Sequence, residues 1–201
     1  MFNKEYLEED GEGFARILNT SEIANSDSQA YILNHEQEKI YCIIRDDSHE
    51  YCFTNLALIM LYYSDESIVN VYRYDYEFYD FDSVFFKVDE EESCAISFNL
   101  YNKEENDEIE IIGNLDQVVE LRNLYKTLIT IGNKQAENKV SYELTIAAQN
   151  LAESSLKGTT NNDNMVGNFI NIRENAAEYL NQSYRKYHQK DFGIVFREYL
   201  I

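Results

Sequence analysis

Short apolar runs separated by polar turns dominate the middle of the chain. Seven of these runs have the length and the alternation of β-strands. They span residues 39–46, 51–54, 56–63, 68–75, 82–88, 94–101 and 108–112. Thr54-Asn55 interrupts the most apolar part and is interpreted as a hairpin turn, because Asn tolerates left-handed dihedrals and both side chains can bond the local backbone. Seven short antiparallel strands at this spacing predict a sandwich or a small barrel.

The pattern changes near Gly113 to longer, helical periods, which predict three helices. Asn114 can cap the first, whose apolar face continues to Leu128. The second covers 133–157 and the third covers 168–189, with a polar loop between Gly158 and Gly167, so these two should form a helical hairpin. The apolar face of the second consists of Val140, Leu144, Ala147, Ala148, Leu151 and Ala152, and that of the third of Phe169, Ile172, Ala176, Leu180, Tyr184 and Tyr187.

The two ends of the chain have weaker patterns. Ser21 can cap a short helix between about 22 and 34, and the first 20 residues are expected to be loosely held. The final segment, 192–201, is too apolar to be left in solvent, so we expect it to complete the core or to insert between subunits. The predicted organisation is a loose segment at 1–20, a domain at 21–132 and a helical extension at 133–201.

One stretch of this pattern resembles a known family. Arg45, Asp46, Phe53, Thr54 and Asn55 occur in the order typical of bacterial PH domains, and "VYRYDYEFYDFDSVFF" is similar to the arginine- and tyrosine-containing segment that follows. The similarity covers roughly residues 20–131. It implies an α+β fold, namely a seven-stranded antiparallel bent barrel capped by a C-terminal helix, which is not catalytic and occurs in ring-like homo-oligomers.

Two further features bear on this resemblance. The family commonly places Lys-Arg after Thr-Asn, whereas this chain has Leu56-Ala57, so a basic pocket for a lipid head group is not expected. A PH-like domain followed by a helical hairpin resembles the YvbH-like bacterial proteins, in which the C-terminal extension is associated with oligomerisation.

Charge changes the list of possible partners. The chain carries 37 Asp and Glu against 17 Lys and Arg, a net charge of −20, and all of this excess lies in residues 1–113. Such a surface repels phosphate groups, so we expect no binding to nucleic acid and do not favour a membrane as a partner. The N-terminus is acidic and no apolar run reaches the roughly 18 residues of a membrane span, so we expect a soluble, cytoplasmic protein.

Candidate chemistry is sparse. His35, His49 and His188 lack metal-ligand spacing, no catalytic triad or phosphate-binding loop is present, and no cofactor is predicted, so the protein is not expected to be an enzyme. Cys42 and Cys52 could approach each other on neighbouring strands but are better interpreted as small buried hydrophobic residues. The weak candidates for a calcium site are Asp75, Glu77, Asp80 and Asp82, which lack the glycine and spacing of a calcium loop.

The remaining hypothesis is a non-catalytic PH-like homo-oligomer that acts as a protein- or peptide-binding scaffold. A peptide would lie between the exposed barrel edge and the C-terminal helix. Alternatives are a lipid head-group binder and a calcium-binding protein. The candidate binding residues are Arg45, Arg73, Tyr72 and Tyr74, which ion pairs at the barrel rim explain equally well. The candidate oligomerisation residues are Leu144, Leu151, Leu180, Tyr184 and Tyr187, unless the hairpin docks on its own barrel.

Overall fold

The computed structural model describes residues 13–65, 67–89, 93–157 and 165–200. These form two compact units. The barrel unit consists of Met1–Gly132 and Lys190–Ile201, and the hairpin unit consists of Asn133–Gln189. One helix, α2 (Val118–Lys157), begins in the barrel unit and ends in the hairpin unit.

The barrel unit contains two antiparallel sheets. One has the strand order β1-β2-β3-β4-β5 and the other the order β6-β7-β8. The strands are β1 (Arg16–Ile17), β2 (Ile40–Arg45), β3 (His49–Thr54), β4 (Ala57–Ser64), β5 (Ser67–Asp75), β6 (Asp80–Val88), β7 (Ser93–Tyr101) and β8 (Asn106–Asn114). The seven predicted strands are therefore confirmed as β2 to β8, and the two-residue β1 is an addition that pairs with β2.

The turn at Thr54-Asn55 is also confirmed, and side-chain hydrogen bonds hold it. The Thr54 hydroxyl oxygen accepts from the N–H groups of Leu56 and Ala57, at 3.0 and 2.8 Å. The Asn55 Oδ1 atom accepts from the N–H of Lys39 at 2.7 Å, which ties the turn to the start of β2. The break in the apolar pattern is thus a structural device that satisfies backbone donors.

The first turns of α2 close the apolar core of the barrel unit. Asn114 accepts from the N–H of Asp116 in a 3₁₀ turn ahead of the helix, in agreement with its predicted capping role. The side chains of α2 that are fully buried against both sheets are Leu121, Leu124, Leu128 and Ile131. Burial of this helical face provides the hydrophobic closure that the sequence pattern predicts.

The helix does not end where the sequence analysis divides it. Two helices were predicted on either side of Gly132, whereas α2 is continuous over Val118–Lys157. A glycine costs a helix only about 1 kcal/mol, much less than a proline, and the chain has no proline. A β-carbon at Gly132 would lie 2.6 Å from the carbonyl oxygen of Phe81, so glycine here allows helix and strand to approach closely.

Residues 15–17 join the two sheets and residues 18–38 cover the outer face of the five-stranded sheet, in contrast to the expectation of a loose N-terminus for residues 13–20. Ala15 and Leu18 are 3% and 4% exposed, and the Ala15 N–H donates to the carbonyl of Ile112 at 2.8 Å. Residues 1–12 lie outside the described part of the chain. A second apolar cluster results, formed by Leu18, Ile43, Cys52, Ala57 and Ile59 with Ile23, Ile32 and Ile40 around it.

The helix predicted near 22–34 is shorter than expected and has a different cap. Helix α1 covers Thr20–Ile23 and begins at a capping box formed by Asn19 and Glu22 rather than at Ser21. Two 3₁₀ turns follow at Asp27–Tyr31 and Asn34–Glu36. The hydroxyl of Ser26 donates to the carbonyl of Ile23, which competes with helical hydrogen bonding and explains the early end.

The C-terminal segment completes the barrel core, which is one of its two predicted placements. Phe192 and Phe196, on either side of the start of α4 (Gly193–Leu200), are fully buried. Phe196 stacks on Tyr41 with the ring centroids 5.1 Å apart. The Phe192 N–H donates to the carbonyl of Asn55 at 2.9 Å. Residues 190–200 therefore belong with the barrel unit, whereas the sequence analysis grouped them with the extension 133–201.

Replacing Phe196 by alanine should lower the free energy of unfolding by about 3 to 5 kcal/mol, because a buried aromatic side chain is lost and a cavity remains. Ile194→Ala is the matched control, since Ile194 is 71% exposed on the same helix, and it should change stability by less than about 0.5 kcal/mol. Urea denaturation followed by circular dichroism measures both. Equal effects would contradict the anchoring role of α4.

Candidate functional site

Arg45, a candidate binding residue, is paired with a buried carboxylate on the outer face of the five-stranded sheet. Glu50 is fully buried, and the Arg45 Nε atom donates to it at 2.7 Å, with a second bond from Nη2. The N–H of Ser28 donates to the other carboxylate oxygen at 3.1 Å, and the Ser28 hydroxyl also bonds it. Internal contacts therefore neutralise the charge of Arg45 and join residues 27–31 to the sheet.

Arg73 has the same arrangement with a second buried carboxylate. Glu38 is 6% exposed and lies 3.1 Å from Nη2 of Arg73. The Thr54 hydroxyl donates to Glu38 at 2.6 Å, and the Leu33 N–H donates to it at 2.7 Å. Burial alone would lower the pKa of Arg73, but Glu38 and Asp75 outweigh this and raise the pKa above its usual value. The arginine therefore stays charged within a closed ion-pair network.

The other two candidate binding residues point to the opposite face of the sheet. Side chains alternate along a strand, so Tyr72 and Tyr74 face the core while Arg73 faces outward. Tyr74 is 7% exposed, and Tyr72 packs edge-on against Tyr62 at 5.3 Å. The four candidates therefore do not share one surface, and ion pairs at the barrel rim describe both arginines. A partner contact at these positions stays a prediction.

The candidate calcium residues are distributed over the β5–β6 connection and have other contacts. Asp75 accepts from Arg73 Nε at 2.8 Å, and Glu77 pairs with Lys190 at 2.8 Å. Asp82 accepts from the N–H of Ser83, and Asp80 begins β6 opposite Tyr101. Among the residues that the structure describes, no three His, Cys, Asp or Glu side chains are grouped so that they could hold a metal ion.

The Asp46–His49 turn is closed by its own side chains. Asp46 accepts from the N–H groups of Ser48 and His49, at 2.8 and 2.6 Å, and its carboxylate lies 3.1 Å from Nδ1 of His49. Burial raises the pKa of Asp46, but the hydrogen bonds from His49 and Ser48 outweigh burial, so the pKa is lower than usual. These hydrogen bonds hold a tight turn at residues 46–48 between β2 and β3, and β3 begins at His49.

The three thiols are buried and unpaired with one another. Cys42 belongs to the core cluster and Cys52 to the cluster on the outer face of the sheet, so the two do not meet. Burial raises the pKa of Cys42 to about 12, and it also raises the pKa of Cys52 and of Cys94. The interpretation of Cys42 and Cys52 as small buried hydrophobic residues is confirmed, and Cys94 is buried as well.

The hairpin unit consists of the C-terminal part of α2 and of α3 (Met165–Tyr187), which pack antiparallel. Tyr142 contacts Tyr184 and His188 with ring centroids 6.1 and 4.8 Å apart. Further along, Nε2 of Gln149 donates to the carbonyl of Ala176 at 3.2 Å. No helix in the described part of the chain is long and apolar enough to cross a membrane.

The side of α2 that faces α3 is largely polar, and the apolar side is exposed. Val140, Leu144 and Leu151 are 57%, 65% and 70% exposed. We name the outward-facing set, which is exposed throughout, the α2 stripe; it consists of Val140, Leu144, Ala147, Ala148 and Leu151. The half-buried residues on the side toward α3 include Ser141, Tyr142, Thr145, Ile146 and Gln149. This reverses the usual placement of an amphipathic helix, whose apolar side faces the interior.

The five candidate oligomerisation residues divide between the two sides of the hairpin. Leu144 and Leu151 belong to the α2 stripe. Leu180 and Tyr187 are half-buried on α3, and Tyr184 is 42% exposed and stacks on His188. The sequence analysis placed Ala147 and Ala148 on the apolar face of this helix but did not name them among the candidate oligomerisation residues.

Comparison with known proteins places both parts of the chain. Residues 146–200 match the family model of the YvbH-like oligomerisation region. The uncharacterised protein YvbH of Bacillus subtilis is 28% identical over 188 residues, which cover 92% of this chain and 91% of that protein. The crystal structure of a PH-domain-containing bacterial protein from Exiguobacterium sibiricum is 27% identical, has a TM-score of 0.84, and covers 94% of this chain and 100% of that one.

Replacing Arg45 by methionine should lower the free energy of unfolding by about 3 kcal/mol, because the buried Glu50 carboxylate loses its partner. The double variant Arg45→Met/Glu50→Gln should recover part of that loss. Arg16→Met is the control, since Arg16 pairs with Glu22 at the surface, and it should cost less than about 1 kcal/mol. If Arg45→Met behaved like the control in urea denaturation, the buried pair would not organise the sheet.

The folded protein should not react with an aromatic disulfide reagent at pH 8, because its thiols are buried and protonated at that pH. In urea, all three cysteines of the chain should react. Absorbance of the released thiolate measures both conditions. Rapid reaction of even one thiol in the folded state would show that a cysteine is accessible.

Proposed function

Since this chain is a YvbH-like bacterial protein that joins a PH-like domain to an oligomerisation region, we propose that it is a non-catalytic homo-oligomeric scaffold. In this proposal the hairpin unit joins the copies, and the PH-like domain binds a protein or peptide. The observation that carries the proposal is the exposed α2 stripe on a hairpin whose two helices already contact each other through the opposite side of α2.

Electrostatics favours a second copy of the chain as the partner that covers the α2 stripe. Residues 133–189 carry six Lys and Arg and six Asp and Glu, whereas the barrel unit holds the entire net charge of −20. Self-association through the neutral unit avoids close contact between two strongly acidic surfaces. Removal of the exposed apolar side chains from water supplies the driving force.

The edge of β6 is the proposed position for a bound peptide. Within the described residues, β6 pairs with β7 along one edge and has no strand along the other. Phe85 and Val88 on this strand are 64% and 46% exposed. The neighbouring Phe86 contacts Tyr125 of α2, with ring centroids 5.8 Å apart. Helix α2 and strand β6 would therefore form two adjacent sides of the peptide site. An extended peptide could add to this edge by backbone hydrogen bonds.

Lipid head-group binding has less support. Leu56 and Ala57, at the positions where the family resemblance commonly implies Lys-Arg, are 8% and 0% exposed. Arg45 and Arg73 are engaged with buried carboxylates. None of these four residues therefore offers a free positive charge to the phosphate of a lipid head group.

Replacing both Leu144 and Leu151 by glutamate should convert the oligomer to a monomer, because four charges would face one another across a pair of copies. Val119→Glu is the matched control: Val119 lies on the same helix, is 57% exposed, and belongs to the barrel unit. Sedimentation velocity measures the assembly, and circular dichroism confirms the fold. An unchanged sedimentation coefficient for the double variant would contradict the proposed contact.

Peptides selected from a random library on the purified protein should lose at least about tenfold in affinity with Phe85→Ser, an effect of at least about 1.4 kcal/mol. The control is Val69→Ser, since Val69 is 55% exposed on β5. Isothermal titration calorimetry measures both variants. Equal affinities for the two variants would contradict binding along β6.

A further inference from the structure

We infer that the α2 helices of two copies pair antiparallel, with Leu144 of one copy against Leu151 of the other. This inference rests on the proposed homo-oligomer and deepens it. The two-fold axis passes between Ala147 and Ala148. Three observations support the antiparallel pairing. The order of residues 144–151 is symmetric, this part of the stripe carries no charge, and both chain connections to the acidic barrel unit leave the hairpin unit at one end.

The central part of the α2 stripe, from Leu144 to Leu151, has the same order of large and small residues in both directions. From either end, a leucine, two alanines and a leucine follow at positions 144, 147, 148 and 151. A two-fold interface brings one surface patch against itself in reverse, so such a patch is self-complementary. The alanines at its centre let the two helix axes approach closely, and the leucines then pack on both sides of the axis.

No charged residue occurs between 144 and 152, so two stripes can meet without burying an ion. The flanking charges favour the antiparallel direction. In a parallel pair Lys139 would lie beside Lys139 of the other copy, and Glu143 beside Glu143. In the antiparallel pair, Glu143 instead faces the uncharged Ala152. Antiparallel helix dipoles also attract, whereas parallel dipoles repel.

The positions at which the chain connects to the barrel unit discriminate most strongly between a parallel and an antiparallel pair. Because α2 and α3 pack antiparallel, both connections to the barrel unit, at Asn133 and at Gln189, leave the hairpin unit at the same end. A parallel pair would bring the chain connections to two units of charge −20 to the same end of the contact. In the antiparallel pair the two Asn133 positions are about 44 Å apart, at about 1.5 Å per residue. That distance far exceeds a Debye length of about 8 Å.

Introduced cysteines distinguish the two directions. A disulfide requires Cα atoms within about 7 Å. The antiparallel pairing brings Leu144→Cys next to Leu151→Cys, but it separates two copies of Leu144→Cys by about 10 Å along the axis. The native cysteines are 0–5% exposed, so they should not interfere. One variant carries a longer affinity tag so that a mixed dimer is recognised by its mass.

After mild oxidation in full-length protein, the mixture of Leu144→Cys and Leu151→Cys should give the mixed dimer in at least about tenfold excess over either self-dimer. Ala147→Cys, near the axis, is the positive control and should cross-link to itself. A second pair, Glu143→Cys with Ala152→Cys, repeats the test at two exposed positions if a leucine variant fails to fold. The fold of each reduced variant is checked by circular dichroism.

Self-dimers of Leu144→Cys that equal or exceed the mixed dimer would show parallel pairing and overturn the inference. An oligomeric mass without any of these cross-links would place the contact elsewhere, which overturns the pairing but leaves the homo-oligomer intact. A monomeric wild-type chain would overturn the proposed function itself. The two failures are therefore distinguishable.

Discussion

Docking of the C-terminal segment on the barrel is the constraint on which the organisation of the chain depends. Asn55 holds this segment twice: its carbonyl accepts from the Phe192 N–H, and its side chain donates to Asp191. Phe192 and Phe196 pack in the same core as the first turns of α2. As a result, the chain leaves the barrel unit at Gly132 and returns to it at Lys190, so both ends of the hairpin unit are anchored to the same domain.

Because of this anchoring, residues 146–200, which match the family model of the YvbH-like oligomerisation region, consist of two physically different parts. Residues 190–200 contribute buried side chains to the barrel, whereas the region from 146 to 189 belongs to the hairpin unit. The hairpin helices contact each other through Tyr142, Gln149 and their partners on α3, and Leu144 stays exposed. In our proposal the first part fixes the hairpin to its domain, and the second part joins one copy to another.

Much of the fold could be predicted because its signals are local. Alternation identified β2 to β8, and the preferences of Thr54-Asn55 identified a turn whose hydrogen bonds the structure confirms. The missed features depend on contacts distant in sequence. Glu50 is buried because Arg45 and Ser28 meet it, and a strand glutamate carries no local sign of such partners. Likewise, the close approach of Gly132 to Phe81 joins positions distant in the sequence, so the local pattern does not show that Gly132 lies inside a helix.

The candidate sites show the same limit. The period of residues 133–157 identified an apolar face on α2, but only the packing of α3 shows that this face is outward. The central claim, that this face joins copies of the chain, is tested most directly by light scattering over a dilution series of the wild-type protein. We predict a weight-average mass of at least twice 23.7 kDa at micromolar concentration, which falls toward 23.7 kDa on dilution. A constant mass of 23.7 kDa at every concentration would contradict it.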